Sequence, residues 1–450
     1  MNEKPASRNF AFPITTFIAV VAIVYAIQNL IAPNLEYLSV LFGFGGETTP
    51  MGTIQFSFMM TSGVVMVIFG YLADKLTRVR LLFAGTLLFS VPSVLVALVD
   101  TGISGYVLFF ILQMISGAGL GMTIPVTFSL TGDLVPQNDR AKGFSYFSIA
   151  TLLGGVVASV IAGTTPADLW RMLYIGVGIA GIAVSVMVFF LKEPNRIGRD
   201  YLYSGDKETM EYSYRIRRAD LKVIVKKRTN VWLIINFVDT IPTGIILFLL
   251  YTYMENFHNV NKSMTLVFLA FVLVGTLIGT LVFGSIADKL FKRGNKKARV
   301  LLALFANIAP IPFVFIAFRI PFWFTGTTVL DLFMVPGAVL TIILLTVGLF
   351  LNGATNGSWY ATVVDINLPE HRGTVLATAN FFDIFGKSIG PLIGTLLSDK
   401  FGVLMGINAS IIFWCALPFF WIGVLRHFIS DLETTDAIFK ERLEKAKTSK

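Results

Sequence analysis

Only one cysteine (Cys415) and three histidines (His258, His371, His427) occur in 450 residues. An intramolecular disulfide and any multi-cysteine metal site are thereby excluded. No HExxH, GxxxxGK[ST] or GxSxG motif is present, so hydrolase or ATPase chemistry has nothing to rest on. Neither an enzyme nor a cofactor or metal is expected. Charge is scarce as well: 14% of residues carry it, where a soluble domain has about 25%. Apolar side chains take its place, at 55% of the chain and a mean hydropathy of +0.75. They come in runs long enough to cross a bilayer, which needs about 20 apolar residues. Soluble enzymes, nucleic-acid binders and secreted disulfide scaffolds are ruled out. Seventeen prolines and 39 glycines spread through these runs fit a helical bundle, and the short alternating strands of a barrel are missing. The 41 phenylalanines decide nothing, because most must face lipid in any case.

The fold class read from this pattern is an all-α polytopic membrane protein with twelve transmembrane helices in two pseudo-symmetric six-helix halves. The spans fall near 14–43, 51–73, 79–99, 105–131, 141–163, 170–191, 231–255, 263–286, 300–324, 330–362, 373–397 and 402–425. The first follows a polar tail with no small-residue cleavage site and is too long for the apolar core of a signal peptide. Of 36 Lys and Arg, 31 lie in the termini and the loops after even spans; four lie on the other side, and Lys387 sits within a span. The positive-inside rule then puts both termini in the cytoplasm of a multi-pass protein of the cell membrane. The net charge of +9 is thus a topological signal with attraction to anionic membrane lipids as a by-product, and no nucleic-acid partner is expected. The chain reads as a monomer.

Four regions follow: an N-terminal six-helix half (1–191), a cytoplasmic linker (192–229), a C-terminal six-helix half (230–426) and a cytoplasmic tail (427–450). Within 212–231, Ile216, Leu221, Ile224 and Val225 recur near helical spacing among basic residues, which predicts an amphipathic helix on the inner leaflet; a solvated linker is the alternative. The tail carries i,i+4 pairs, Asp436–Lys440 and Glu441–Lys445, and reads as a short soluble helix.

The halves repeat one another. After the second span of each comes Gly-x-x-x-Asp with basic residues behind it: GYLADKLTRVRLL (Gly70, Asp74, Arg78) and GSIADKLFKRGNKKARVLL (Gly284, Asp288, Lys292). After the fourth span of each, Asp133-x₆-Arg140 matches Asp365-x₆-Arg372, with Gly154 and Gly386 following at equal distances. Carboxylates and arginines at helix ends can bridge one another. Asp74, Arg78, Asp133, Arg140, Asp288, Lys292, Asp365 and Arg372 are therefore candidates for a cytoplasmic gate that closes and opens as repeat halves rock.

At these residues the chain resembles the major facilitator superfamily, over nearly its whole length. Gly70, Leu72, Ala73, Asp74 and Arg78 match the family's signature after the second span, Lys75 is a conservative change, and Thr77 stands for a glycine. The fragments GDLVPQNDRAKGFSYF, LKEPNRIG and RGTVLATANFFDIFGKSIGPLIG are similar to a spinster-like branch. That branch's charged pair in the first span is replaced by Ala32 and Pro33, its arginine and glutamate in the fourth by Gln113 and Leu120, and its aspartate in the eleventh by Lys387. The resemblance implies twelve spans, a gate at the cytoplasmic signature, and a central cavity lined by the first, fourth, seventh and tenth spans.

Polar residues within spans mark that cavity: Gln28 and Asn29 in the first, Gln113 in the fourth, and Asn352, Asn356, Trp359 and Tyr360 in the tenth. Such groups are costly in an apolar setting unless they line water or bond a neighbour; interhelical glue is the alternative. Ionisable residues in spans default to function. Asp383 and Lys387 share a helix face in the eleventh span and pair with each other, or else Lys387 binds an anionic group of the substrate. Asp239, in NFVDTIPTG, has no local basic partner and is the first choice for proton coupling, with Asp383 as the second. Glycines at 117–121 and Gly386-x₃-Gly390-Pro391-x₂-Gly394 read as close-packing sites. The functional expectation is a secondary active transporter for a small or amphiphilic organic solute, working by alternating access with or without a proton. An uncoupled facilitator and a transport-silent sensor or lipid-contacting protein are the alternatives.

Overall fold

A computed structural model describes residues 11–73, 76–134, 140–193 and 220–448. Its described residues contain helices and no strands. The chain divides into two compact units, Met1–Ser204 and Gly205–Lys450, and each is treated by itself.

The first unit holds α1 (Ala11–Gln28), α2 (Thr49–Ala73), α3 (Arg78–Leu95), α4 (Gly102–Leu134), α5 (Arg140–Thr164) and α6 (Trp170–Phe189). The glycines at 117–121 let α4 lie directly on two neighbours. Gly117 and Gly121 meet the α2 backbone at Phe58 and Ser62, while a Cβ on Gly119 would stand 2.5 Å from the Phe89 nitrogen of α3. Without lipid-versus-core hydrophobicity to drive association, such backbone-on-backbone packing is what holds membrane helices together.

The second unit holds α7 (Arg228–His258), α8 (Lys262–Lys292), α9 (Ala298–Ala317), α10 (Pro336–Ile366), α11 (Pro369–Phe401) and α12 (Val403–Thr448). Ten helices among the described residues are long and apolar enough to cross a membrane. The fifth and eleventh expected spans are present as helices of 25 and 33 residues. Charges dilute α11 (Asp383, Lys387, Asp399 and Lys400), so it reads less clearly as a span.

Three helices of this unit are interrupted, and each interruption has a local cause. In α7 a 3-10 turn over Asn236–Asp239 separates Arg228–Ile235 from Thr240–His258. Pro242 has no N–H for the carbonyl four residues back, which loosens the helix there. Pro310 restarts α9 after Ile308, and α10 breaks at Gly353. Between α7 and α8, Asn259 takes the left-handed conformation (φ 53°) that closes one helix, and Asn261 accepts the Met264 N–H to cap the next.

One expectation for the tail is corrected. The tail is no separate helix: α12 continues unbroken for 46 residues. Beyond the apolar run, Phe428 and Leu432 remain buried, in one cluster with Ile224, Val363, Ile366 and Trp421. Of the predicted amphipathic segment, 212–219 lies outside the described residues, and the helix Asp220–Lys226 turns Ile224 into that same cluster. Val225 on the same helix stays 65% exposed. Lys227, 6% exposed, donates to the Ile366 carbonyl (2.6 Å) and the Thr435 hydroxyl (2.6 Å). Asn230 and Asn367 exchange amide hydrogen bonds (2.9 and 2.7 Å), and Asp431 accepts the Thr229 N–H (2.9 Å). Linker end, α10–α11 turn and tail are thus fastened by buried polar contacts.

Candidate functional site

The charged residues of the C-terminal spans meet because α7 and α11 pack backbone to backbone. A Cβ on Gly390 would fall 2.6 Å from the Ile241 carbonyl oxygen, and one on Gly244 would fall 2.8 Å from that of Lys387. Thr240 ties the same pair of helices, donating to the Asp383 carbonyl (3.1 Å). Phe237 lies against Phe382 and Phe385, at 5.4 and 5.9 Å between ring centroids. This packing, together with the 3-10 turn, carries Asp239 to within electrostatic reach of both Asp383 and Lys387.

All three line one cavity of about 440 Å³ whose walls belong entirely to the C-terminal unit. That size lies within the usual range for small-molecule sites. Asn352, Trp359 and Tyr360 from α10 line it too, so six of the residues singled out in the C-terminal spans come together. Lys387 is exposed, and the two carboxylate residues are half-buried. With both carboxylates ionised the trio carries one net negative charge. Trp359 donates from its indole N–H to the Leu233 carbonyl (3.1 Å) and stands edge-on to Tyr360. The charged groups lie toward the linker end of the helices, where α7 begins. Leu250, Phe268, Val314 and Phe318 line the other end.

Within its own segment Asp239 has an amide partner and no basic one: it accepts a hydrogen bond from Asn236 Nδ2 (3.1 Å), three residues earlier, and it shares the cavity with Lys387. The sequence offers no sign of the lysine, because α7 and α11 are far apart in the chain. Asn236, Asn307, Thr355 and Trp414 are wall residues that the pattern of the sequence missed. For Asn307 a signal existed, an amide between apolar runs in LLALFANIAPIPF.

The residues of the N-terminal spans are placed differently. Gln28 and Asn29 are half-buried, and Asn29 spends its amide on the Tyr25 carbonyl (2.7 Å). Gln113 is buried within its own unit. None of the three lines the described cavity. The side chain of Asn356 lies outside the described residues.

For the expected gate, Asp74 and the side chains of Asp133, Arg140 and Arg372 also lie outside the described residues. In the first unit, Arg78 (3% exposed) donates from Nε to Glu193 (3.0 Å) and from a terminal nitrogen to the Ser129 hydroxyl (3.2 Å). Glu193 also accepts the Val79 N–H (2.8 Å) and so caps α3 with a negative charge. In the second unit the base that joins Asp288 to Asp365 is Arg299, at 2.8 and 2.6 Å. Lys292, expected there, is exposed on the last turn of α8. A planar guanidinium can address two carboxylates at once, and a single ammonium is poorly suited to that.

Ten helices long and apolar enough to cross a bilayer among the described residues make this a multi-pass membrane protein. The comparisons agree. The model of the Major Facilitator Superfamily matches residues 17–347, and the chain belongs to that family. A probable sulfoacetate transporter of Cupriavidus necator, SauU, is 24% identical over 440 residues, covering 93% of this chain and 94% of its own. The fold is shared with a bacterial homologue of the human lysosomal transporter Spinster, crystallised inward-facing and unoccupied. That match has a TM-score of 0.75 at 15% identity and covers 95% of this chain and 99% of the other. A D-xylose–proton symporter matches with a TM-score of 0.62 at 16% identity, over 90% and 97% of the two chains. Family and fold point to a transporter rather than an enzyme.

Proposed function

We propose that this protein is a secondary active transporter that moves a small or amphiphilic organic solute across the cell membrane by alternating access. It works as a monomer with both termini in the cytoplasm. The convergence of Asp239, Asp383 and Lys387 on one cavity carries the reading, because charged groups inside spans are expensive to keep without a task. Lys387 takes an anionic group of the solute, as would suit a relative of the probable sulfoacetate transporter of Cupriavidus necator, and Asp239 and Asp383 carry the coupled proton. Gln28, Asn29 and Gln113 supply the N-terminal share of the substrate path. Asp74, Arg78, Asp133, Arg140, Asp288, Lys292, Asp365 and Arg372 form the cytoplasmic gate, joined by Glu193 and Arg299. An uncoupled facilitator is the second reading, favoured by the uncharged Gln113 and Leu120 in the fourth span.

Reconstitution into liposomes tests both. Uptake of small organic acids, sulfoacetate among them, should rise with an inward proton gradient, and Asp239→Asn should remove that dependence. Uptake indifferent to the gradient would leave the facilitator standing. The absence of any uptake across a broad solute panel would end the transport reading.

A further inference from the structure

Asp383 and Lys387 stand one helical turn apart on α11, carboxylate first, the order and spacing at which such groups ordinarily pair on a helix. They do not pair here. Among the described residues no ion pair or side-chain hydrogen bond joins the two, and none ties either side chain to another residue. Each still lies within electrostatic reach of the other. Both line the cavity, Lys387 exposed and Asp383 half-buried, and neither Asp383 oxygen is sealed in the protein, so a solute can touch both charges.

The third charged wall residue is placed differently. Asp239 takes the Asn236 amide hydrogen (3.1 Å) and is the first choice for the coupled proton. The remaining polar wall groups are hydroxyls, amides and indoles, which carry no charge. Two of them, Thr240 and Trp359, give their hydrogens to the main-chain carbonyls of Asp383 (3.1 Å) and Leu233 (3.1 Å). With Asp239 protonated, the wall presents one negative and one positive group, neighbours without contact. A solute bearing only an acid would compensate Lys387 and crowd Asp383, and one bearing only an amine would do the reverse. A zwitterion answers both. Tyr360, 50% exposed and within electrostatic reach of Asp383, offers its ring to the ammonium end as well. Leu250, Phe268, Val314 and Phe318 make the far end of the cavity apolar.

We infer that the cavity takes a zwitterion whose acid and ammonium groups sit at one end of an apolar body, the acid on Lys387 and the ammonium on Asp383. The inference rests on the solute site proposed above and narrows the coupled proton to Asp239. A site built to pair a charged donor rejects the analogue lacking it far more strongly than an apolar pocket rejects a missing methylene.

Melting shifts of the purified full chain test this, since bound ligand raises apparent stability by mass action. The probes share one carbon frame: leucine, 4-methylpentanoate (the acid without the ammonium) and 3-methylbutylamine (the amine without the acid). Leucine should give the shift of either single-charge probe at about one-tenth the concentration or less. Asp383→Asn should bring leucine down to the potency of the acid, and Lys387→Gln should bring it down to that of the amine. A merely structural role for the two charges would weaken all three probes together. Leucine no more potent than 4-methylpentanoate in the native protein overturns the inference, and the solute site stands if the effect of the acid disappears in Lys387→Gln. An amine as potent as leucine overturns it too, and takes the acid group off Lys387. If no probe shifts melting at any concentration the inference falls, and uptake of organic acids into liposomes decides the solute site separately. The native series needs no variant to fold.

Discussion

The two units share a frame and differ in what they do with charge. Each carries the Gly-x-x-x-Asp element near the end of its second helix, and each anchors an arginine at the start of its third. In the first unit that arginine is closed off from solvent: Arg78 is 3% exposed, and its carboxylate partner comes from beyond the unit's last helix. In the second, Arg299 is 16% exposed and bridges two carboxylates, one of which, Asp288, stands 59% exposed. The contrast continues in the spans. The second unit concentrates two carboxylates and a lysine in one cavity, while the polar residues singled out in the first are amides. A duplicated scaffold has been kept and its chemistry has diverged. The charged groups that line the described cavity all belong to the second unit.

The largest effect should come from breaking the packing that creates this difference. Gly390→Leu would push a side chain into the Ile241 carbonyl and Gly244, and overpacking of this kind costs roughly 3 kcal/mol or more. It should also separate Asp239 from Asp383 and Lys387. The matching change in the first unit, Gly121→Leu against Ser62, should destabilise as much yet leave the walls and charges of the C-terminal cavity in place. Thermal unfolding in detergent, followed by solute-dependent melting shifts of whatever survives, separates the two. Equal loss of ligand response in both would erase the division of labour.

Next come the two arginines. Removing one member of a buried ion pair strands the other, at about 3 kcal/mol. Arg78→Gln strands Glu193, 31% exposed, and Arg299→Gln strands Asp365, 16% exposed, while Asp288 is already largely solvated. Arg299→Gln should therefore cost at least as much stability as Arg78→Gln, and both should slow transport, because both arginines belong to the proposed gate. Side-by-side melting and initial-rate measurements decide. If Arg299→Gln proves the less destabilising, burial of the stranded carboxylate is the wrong guide to these clusters.

How much of this was legible beforehand follows the same line. The helical frame was readable because spans are long apolar runs and the gate motif repeats at fixed spacing. Gly386, Gly390 and Gly394 were read as close-packing sites, and that is how Gly390 serves, setting α11 against Ile241. What they bring together was not readable. Asp239 looked isolated because its neighbours Asp383 and Lys387 lie over 140 positions away, joined by a 3-10 turn and a helix contact that no local pattern encodes. Arg299 was passed over for Lys292 because spacing favours the residue one helical turn from Asp288. The guanidinium reaches back from the start of the next helix. Glu193 stood inside the quoted LKEPNRIG fragment, but its role depends on meeting the start of α3, over 110 residues upstream.

A smaller effect belongs to the fastened tail. Thr435→Val keeps the shape of the side chain and removes one acceptor of the Lys227 ammonium, leaving the Ile366 carbonyl as a partner. Losing one buried hydrogen bond to a charged group costs roughly 1.5–3 kcal/mol, and because Lys227 keeps a partner the lower end is expected. Truncation after residue 427 should cost more, since it also removes Phe428, Leu432 and Asp431 from the cluster. Limited proteolysis of the linker should become faster in both, in that order. An unchanged rate would mean that the tail does not hold the linker.

The smallest effect lies at the opposite end of the second unit from the linker, in the short helix Val329–Phe333 between α9 and α10. Asp331 closes a capping box there: it accepts the Thr328 and Thr327 N–H groups (2.9 and 3.0 Å), and its own N–H donates to the Thr328 hydroxyl (3.2 Å). The Thr328 backbone and side chain, then the Thr327 backbone, hold its carboxyl below the ordinary aspartate value. A group depressed on folding stabilises above its unfolded pKa and loses that contribution as pH falls through the folded one. Asp331→Asn should therefore lower the melting temperature slightly at neutral pH, and the gap from the native protein should narrow once the pH drops below about 4. The carboxylate lies at the surface of a short helix, where such contacts are screened by solvent, so the effect should rank below every substitution above. A gap that stays constant from pH 7 to pH 3 would show that the charge of Asp331 contributes nothing and that only the shape of the turn matters.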